Sequence, residues 1–239
     1  MIKQHTSFNE VPDNTILWQY MSLTKFLYLV KFSKLHFHRI DCFMDKEEDV
    51  LSKLVKASLP FFQNTEEWNK YLEEDRKRVF VSCWTMYPIE QSVMWEAYGK
   101  NGVAIKTTAG DVRKALKCAK EDIYMIQVNY IDKENIIAQV PGKPINWIRY
   151  STTKRTFFEM ENEVRLLFFD NERIFEGEGV DLCVNLKALI KDIKVSSSIP
   201  DFVYQLICKV VKEANIEIEP IKSELYELSP FKKETNAQP

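Results

Sequence analysis

Three carboxylates stand at alternate positions just before an apolar run. They are Glu159, Glu161 and Glu163, within residues 154–167, which read KRTFFEMENEVRLL. In a strand that begins near Glu161, the side chains of Glu161, Glu163 and Arg165 would share one face, because successive side chains of a strand point to opposite sides. Like charges so arranged repel one another unless a cation, a metal or a substrate hydroxyl compensates them. The pattern predicts either a catalytic carboxylate pair or a structural ion-pair network with Lys154 and Arg165.

A second segment, residues 81–108, combines aromatic side chains with a turn bounded by glycines. Trp84 ends a predicted strand, and Trp95 and Tyr98 lie on a predicted helix that ends at Gly99. Aromatic residues at helical spacing belong to a protein core more often than to a ligand pocket, although their polar atoms can line a cleft. The segment is therefore a candidate binding surface near the carboxylates.

Acidic residues and histidines cluster in residues 36–49. Asp41, Asp45 and Glu48, joined to the late glutamates, would supply the oxygen ligands that Mg²⁺ prefers. Their spacing matches no established metal motif, and acids at a helix start also stabilise the helix dipole, so we predict no metal site. His36 and His38 alternate on a predicted strand, and we expect them at the edge of the core rather than as ligands.

The composition excludes several classes of protein. The 239 residues are 45% hydrophobic, enough for a packed core, and a net charge of -2 gives no overall attraction to nucleic acid or anionic membranes. The 6 glycines form neither a dinucleotide-binding nor a P-loop motif, and the 3 histidines argue against a multi-histidine metal site. The 5 scattered cysteines predict reduced, mostly buried thiols in a cytoplasmic protein, and no apolar stretch is long enough to span a membrane.

The predicted elements that must position these residues are mixed in order. Strands are expected at residues 35–40, 79–84, 102–107, 123–130, 164–169, 180–182 and 193–195, and helices after Ser22, from Asp45, from Thr65, and at 90–98, 112–119 and 201–213. This order lacks a regular βαβ alternation. We therefore predict a single α+β domain over residues 15–228, with a mixed central sheet flanked by helices. Residues 1–14 and 229–239 are expected to be flexible ends.

Three stretches of sequence are more specific together, and in this order, than any one alone. They read LWQYMSLTKFLYLVKFSKLHFHRID, VSCWTMYPIEQSVMWEAYGKNGVAIKTT and KRTFFEMENEVRLLFF. From about Leu17 to Leu225 the chain resembles a widespread bacterial domain of unknown function that is associated with abortive infection and phage defence. The layout of that domain is similar to ADP-ribosyltransferase-like domains, with a polar residue on the first strand and a late strand that opens with ExE. The resemblance implies a split sheet and transfer of ADP-ribose from NAD.

The resemblance also implies roles for individual residues. Glu163 would be the catalytic glutamate, and Glu161 its partner toward the acceptor. The NAD cleft would be lined by Tyr20, Arg39, Ser82, Trp84, Tyr98, Lys154 and Arg165. Tyr98 or Trp84 would stack on nicotinamide, Arg39 or Lys154 would meet the diphosphate, and Arg165 would keep Glu163 ionised. The acceptor would be an unknown protein or nucleic acid, and a defence-system partner or antitoxin is implied.

The chain departs from the family pattern at three places. Gln19 stands where the first strand usually carries Arg, residues 46–49 read KEED where the family has proline, an aromatic residue, Glu and Gly, and Tyr87 and Pro88 replace an Asn-Glu pair. The missing Arg removes a cation that would bind phosphate or ribose.

Two other functions remain open at this point. One is a magnesium-dependent nuclease or phosphoesterase that uses Asp41, Asp45, Glu48 and the late glutamates. The other is a non-catalytic sensor or binding module in a defence system. A thermal shift with magnesium would favour the first, and the absence of any shift with magnesium or NAD would favour the second.

Overall fold

The computed structural model describes residues 2–3, 8, 10–43, 70, 73–132 and 147–225. In chain order the strands of these residues are β1 Ile2–Lys3, β2 Ile16–Ser22, β3 Lys34–Arg39, β4 Val79–Thr85, β5 Gly102–Thr108, β6 Ile123–Gln127, β7 Asn129–Ile131, β8 Thr153–Arg155, β9 Glu163–Phe169, β10 Gly179–Cys183, β11 Asp192–Val195 and β12 Ile221–Lys222. The helices are α1 Leu23–Phe32, α2 Ser92–Met94, α3 Ala109–Ala115, α4 Trp147–Ser151, α5 Leu186–Leu189 and α6 Asp201–Glu213. There are also three 3₁₀ turns, Ile40–Cys42, Leu116–Cys118 and Thr156–Glu161, a π-helical turn, Trp95–Gly99, and a helical turn at residues 73–76.

The main sheet has ten strands and divides along β4. Its principal row runs β1-β6-β9-β4-β2-β5-β11-β12, while β3 pairs with β4 and carries β10 on its other side. One edge of β4 pairs with β9. The other edge pairs with β3 at Phe80 and Val81 and with β2 only at Thr85. Among the described residues, the backbone of 82–84 therefore has no ladder partner on that side. The sheet opens between β2 and β3, and β7 and β8 form a separate parallel pair.

Helix α1 connects the two strands that flank this opening. It starts because Ser22, the last residue of β2, accepts a hydrogen bond from the backbone N–H of Lys25 through its side chain, as predicted. Phe26, Leu29 and Val30 are buried at spacings of three and four residues, which places one apolar face against the core. The helix ends at Ser33, whose φ of 52° is left-handed.

The two faces of the β4–β9 strand pair pack against different hydrophobic clusters. On one face, Val164, Leu166 and Phe168 enter the main core, with Phe80 and Trp84 of β4 beside them. On the other face, Leu167 packs in a smaller cluster with Val79, Val81 and Ile148. This alternation confirms the predicted apolar side of the late strand and leaves Glu163 and Arg165 on the opposite side.

The predicted α+β class, with a mixed sheet flanked by helices, is confirmed, and the elements differ from prediction mainly at their ends. The strand expected at 123–130 breaks at Val128 into β6 and β7, and the helix expected at 112–119 begins at Ala109 instead. The helix expected at 90–98 is a short α-turn followed by a π-turn. All five cysteines are free, as predicted, but the expected burial is not found: Cys42, Cys83 and Cys208 are only partly buried, and Cys118 and Cys183 are exposed.

Described parts of the N-terminal segment contact the rest of the fold. Ile2 and Lys3 pair in parallel with Ile123 and Tyr124 of β6. Val11 is buried in the main core, and its carbonyl accepts a hydrogen bond from Arg113. Backbone pairing at Ile2 and Lys3 and one buried apolar side chain, Val11, thus connect the described parts of this segment to the fold.

Three predictions fall wholly or largely outside the described residues. They are the helix from Asp45, most of the helix from Thr65, of which residues 73–76 are helical, and the tail at 229–239. Among the helices of the described part, none has both the length and the apolar character that a membrane span requires.

Candidate functional site

A cleft of about 660 Å³ lies where the sheet divides. Its lining comes from β2, α1, β3 and the middle of β4, together with residues of β8, β9 and β10, and its volume is typical of small-molecule sites, which enclose about 300–1,000 Å³. The lining includes eight of the nine predicted site residues: Tyr20, Ser82, Trp84, Tyr98, Lys154, Glu161, Glu163 and Arg165. Residues up to 145 positions apart in sequence thus meet at one opening.

Arg39 is the predicted site residue that does not line the cleft. Its Nε donates to Asp41 Oδ1 at 2.7 Å, and its Nη1 donates to the carbonyl of Gly177 at 2.8 Å. These bonds direct the guanidinium toward the 3₁₀ turn after β3 and toward the loop before β10. The diphosphate role that the resemblance implied for Arg39 therefore has no support in the geometry.

Glu163 and Arg165 form a bidentate ion pair inside the protein. The guanidinium donates to the Glu163 carboxylate through Nε at 2.9 Å and Nη2 at 3.2 Å, and its Nη1 donates to the carbonyl of Ser151 at 2.7 Å. The two residues are 3% and 1% exposed. Because each is fixed by several partners, the carboxylate has little freedom to rotate.

Lys154 joins this pair to the second carboxylate. Its ammonium donates to Glu161 Oε2 at 2.8 Å and to Glu163 Oε2 at 3.2 Å. The other oxygen of Glu161 accepts from the hydroxyl of Tyr98 at 3.0 Å. We call the cluster of Lys154, Glu161, Glu163 and Arg165 the glutamate end of the cleft. The sequence left open whether the carboxylates belong to an ion-pair network or to a functional site. In the structure they do both, because they are ion-paired and also line the cleft.

The prediction that Glu161 lies on the strand was wrong. Glu161 ends the 3₁₀ turn Thr156–Glu161, and Asn162 then adopts a left-handed conformation with φ of 41° before β9 begins at Glu163. Two hydrogen bonds with Met86 fix Asn162. The backbone N–H of Met86 donates to the carbonyl of Asn162 at 2.8 Å, and the side-chain amide of Asn162 donates to the carbonyl of Met86. The two carboxylates meet because both contact Lys154, not because they alternate on one strand.

The environment fixes the protonation of this end. Burial by itself would raise the pKa of Glu163, but the charges of Arg165 and Lys154 outweigh it and lower the pKa to about 2. Burial, with the nearby charge of Glu161, raises the pKa of Tyr98 well above its usual range. At neutral pH the site therefore presents an ionised Glu163 and a neutral Tyr98 phenol that donates to Glu161.

The middle of the cleft is filled in part by Gln19. Its amide nitrogen donates to Ser82 Oγ at 3.0 Å and to the carbonyl of Cys83 at 3.4 Å, on the side of β4 that has no strand partner there. Within the described part of the chain, Gln19 Oε1 and Trp84 Nε1 are buried without a hydrogen-bond partner. One acceptor and one donor in the lining are thus left unsatisfied by the protein.

The aromatic residues differ in how much of each ring reaches the cleft. Trp84 is 2% exposed and packs in the main core, so it offers little surface for stacking. Tyr98 is 49% exposed. Tyr20 packs edge-on against Trp95 at 5.2 Å, and its hydroxyl accepts from the backbone of Gln91. Of the residues predicted to contact a ligand ring, Tyr98 is the one that the geometry supports.

Sequence reasoning missed a second polar group in the cleft lining, formed by residues of α1, β3 and β10. We call Lys25, Tyr28, Lys34, His36, His38 and Asp181 the histidine end; all six line the cleft. His36 Nδ1 donates to Asp181 Oδ1 at 2.6 Å, the hydroxyl of Tyr28 donates to Asp181 Oδ2 at 2.9 Å, and Lys25 Nζ lies 3.0 Å from His38 Nε2. The alternation of His36 and His38 was the only available signal, and it was interpreted as the edge of the core.

The acidic residues considered for magnesium do not assemble in the described part of the chain. No group of three or more metal-binding side chains occurs among the residues that the structure describes. Asp41 is paired with Arg39, and Asp45 and Glu48 lie outside the described ranges.

Comparison with known proteins adds little to this geometry. No family model matches the chain, and no curated protein matches it. Among solved structures, the chain is similar to that described as Thermus sp. 2.9 DarT in complex with NAD+, with 11% sequence identity, a TM-score of 0.40, and coverage of 90% of this chain and 98% of that chain. A similarity at this level carries no conclusion about activity.

Proposed function

We propose that the chain is an NAD-dependent ADP-ribosyltransferase, which moves ADP-ribose from NAD to a macromolecular acceptor. The observation that carries this proposal is the position of Glu163, a buried and ionised carboxylate in the lining of a cleft of about 660 Å³. Well-packed apolar residues can often replace a whole buried ion pair without loss of stability, so stability alone does not account for this pair, and its position beside a cleft favours a role there.

The chemistry of the transfer needs a fixed negative charge. When the bond between nicotinamide and ribose breaks, its electron pair leaves on the nicotinamide nitrogen and positive charge develops on the ribose ring, as in other glycosyl transfers. Glu163 would stabilise that charge, and its bidentate pair with Arg165 holds the carboxylate in place before reaction. Lys154 contributes by contacting both carboxylates, which leaves it committed to them rather than to the diphosphate.

Glu161 is the residue that we assign to the acceptor. Its side chain is 14% exposed, against 5% for Glu163, so it is the more accessible of the two carboxylates. The acceptor would form its new bond to the anomeric carbon of ribose, and its proton would pass to Glu161 or to water. The half-exposed ring of Tyr98, which contacts Glu161, is placed to cover a flat ring such as nicotinamide.

The biological setting of this activity is also a proposal. A role in phage defence, a protein or nucleic-acid acceptor, a partner or antitoxin, and a cytoplasmic location are supported by the sequence resemblance and composition alone. The magnesium-dependent alternative has no support in the described residues, because Asp41 is paired with Arg39.

The test measures nicotinamide release from NAD by the wild type and by Glu163→Gln. We expect a loss on the order of 100-fold or more, as when a group that stabilises transition-state charge is removed. Asp170→Asn is the matched control, since Asp170 is a buried carboxylate just beyond the other end of β9 and outside the cleft lining. Circular dichroism and thermal melting check that each variant folds.

Three outcomes would contradict the proposal. Equal release by the wild type and Glu163→Gln would remove Glu163 from the mechanism. A thermal shift with magnesium and none with NAD would favour a metal-dependent enzyme instead, and no shift with either, with co-purification of a partner, would favour a binding module.

A further inference from the structure

The charges of the cleft are distributed unevenly between its two ends. At the glutamate end, two cations face two anions, and all four groups are joined by hydrogen bonds. At the histidine end, the lysines are Lys25 and Lys34 and the single carboxylate is Asp181. Both oxygens of Asp181 are already taken by His36 and Tyr28. The uncompensated positive charge of the lining therefore lies at the histidine end.

The contact between Lys25 and His38 leaves N–H groups of both residues as hydrogen-bond donors for a ligand. An ammonium group can only donate, so His38 Nε2 accepts from Lys25 Nζ at 3.0 Å, and the His38 ring is neutral with its proton on Nδ1. The ammonium keeps further N–H groups, and His38 Nδ1–H is another donor. Lys34, which is exposed, makes no ion pair with any residue in the described ranges.

Helix α1 adds to the attraction for anions. It has ten residues, and Thr24 and Lys25 of its first turn line the cleft. The backbone N–H of Lys25 is capped by Ser22, and the positive end of the helix dipole favours a negatively charged ligand at that point. The N-terminus of α1 and the two lysines each contribute positive electrostatic potential to this part of the cleft.

The remaining residues of this end hold the donor groups in position. The rings of His36 and His38 meet edge-on, with centroids 4.4 Å apart. His36 is in turn fixed by Asp181, which lies opposite it in the β3–β10 pairing. A Cβ atom at Gly179 would lie 2.6 Å from the His36 ring, so the glycine leaves the room that the ring occupies.

We infer that Lys25, Lys34 and His38 bind the diphosphate of a nucleotide, which in the proposed function is the diphosphate of NAD. The inference rests on that function for the identity of the ligand, but the anion site itself follows from the cleft. It assigns to Lys25, Lys34 and His38 the contact that the resemblance implied for Arg39 or Lys154. The ligand would then extend from the histidine end, past Gln19, to the glutamate end.

The test is binding of three probes by calorimetry: inorganic pyrophosphate, ADP and adenosine. We expect the wild type to bind pyrophosphate and ADP, and Lys25→Met/Lys34→Met to bind both at least about ten-fold more weakly, because two charge-assisted contacts are lost. Adenosine, which has no phosphate, should be unaffected by the lysines. Lys31→Met is the matched control, since Lys31 lies on α1 but outside the cleft lining.

The outcomes separate this inference from the proposed function. Unchanged affinity for pyrophosphate and ADP in the double variant, or no binding of either by the wild type, would overturn the inference even if NAD turnover depends on Glu163. Loss of binding in the double variant, together with no NAD turnover by the wild type, would keep the diphosphate site and overturn the transferase. Equal weakening by Lys31→Met would show general charge attraction and would also overturn the inference.

Discussion

The glutamate end and the histidine end of the cleft hold their charges in different ways. Glu163, Arg165 and Lys154 are buried and neutralise one another through direct hydrogen bonds. Lys25 and Lys34 are exposed, and His36 and His38 are only partly buried. Charges removed from water must be paired and fixed, whereas exposed charges remain solvated and available to a ligand.

Because of this difference in burial, the charges of the glutamate end should act on protein stability and those of the histidine end on ligand binding. A buried pair is expensive to break, and it supplies a charge that needs no reorganisation when substrate arrives. Exposed cations contribute little to folding, and their effect appears when an anion binds. The same kind of change, removal of one charge, should therefore affect folding at the glutamate end and ligand affinity at the histidine end.

The largest expected effect is on folding. Arg165→Met leaves Glu163 buried without its bidentate partner, and we expect a loss of about 3–5 kcal/mol in the free energy of unfolding. Lys25→Met, at the other end, should change it by less than about 0.5 kcal/mol. Urea denaturation of the two variants measures the contrast, and similar losses for both would contradict the comparison.

The pH dependence of Glu163 should be nearly as large. Its pKa in the folded protein is lowered from 4.5 to about 2, so the ionised form stabilises the fold above the unfolded value and this contribution is lost as pH falls toward 2. The shift corresponds to about 3 kcal/mol.

Denaturation of the wild type and of Glu163→Gln between about pH 5 and pH 2 tests this window. The difference in unfolding free energy between them should be greatest near pH 5 and shrink toward pH 2. Asp170→Asn serves as the control, since Asp170 is also a buried carboxylate but lies outside the cleft lining. A difference that stays constant over this range would show that Glu163 titrates normally.

A smaller pH dependence of stability, also caused by a shifted pKa, is expected at the histidine end. Burial, with the charges of Lys25 and His36, lowers the pKa of His38 from 6.5 to about 4, against the opposing charge of Asp181. The unfolded chain therefore binds this proton first, so the wild type loses stability as pH falls from 6.5 toward 4.

Melting temperatures at pH 7 and pH 5 provide the measurement. His38→Gln should show a smaller decrease than the wild type over this interval, in which Glu163 stays ionised. An equal decrease in both proteins would mean that the His38 ring is not kept neutral by its surroundings.

Much of the glutamate end could be predicted because its determinants are local. Two-residue alternation placed Glu163 and Arg165 on one face of β9 and Val164, Leu166 and Phe168 on the other. The position of Glu161 could not be derived in this way, because the left-handed turn at Asn162 depends on Met86, 76 residues away. A tertiary contact there overrides the strand periodicity.

The histidine end was missed because its contacts with Asp181 are not local. His36 and Asp181 are 145 residues apart and meet only through the pairing of β3 with β10. The division of the sheet along β4 depends on the order of the strands, which the sequence pattern does not specify. The alternation of His36 and His38 therefore could not indicate that Asp181 lies beside them.

The sharing of Lys154 by Glu161 and Glu163 has a consequence for any mutational study of the site. One ammonium serves both carboxylates, so neutralising either one changes the electrostatic field at the other. In a double-mutant cycle, the effects of Glu161→Gln and Glu163→Gln should therefore not add. The two glutamates are thermodynamically a single unit, and a kinetic value measured for one describes the coupled pair.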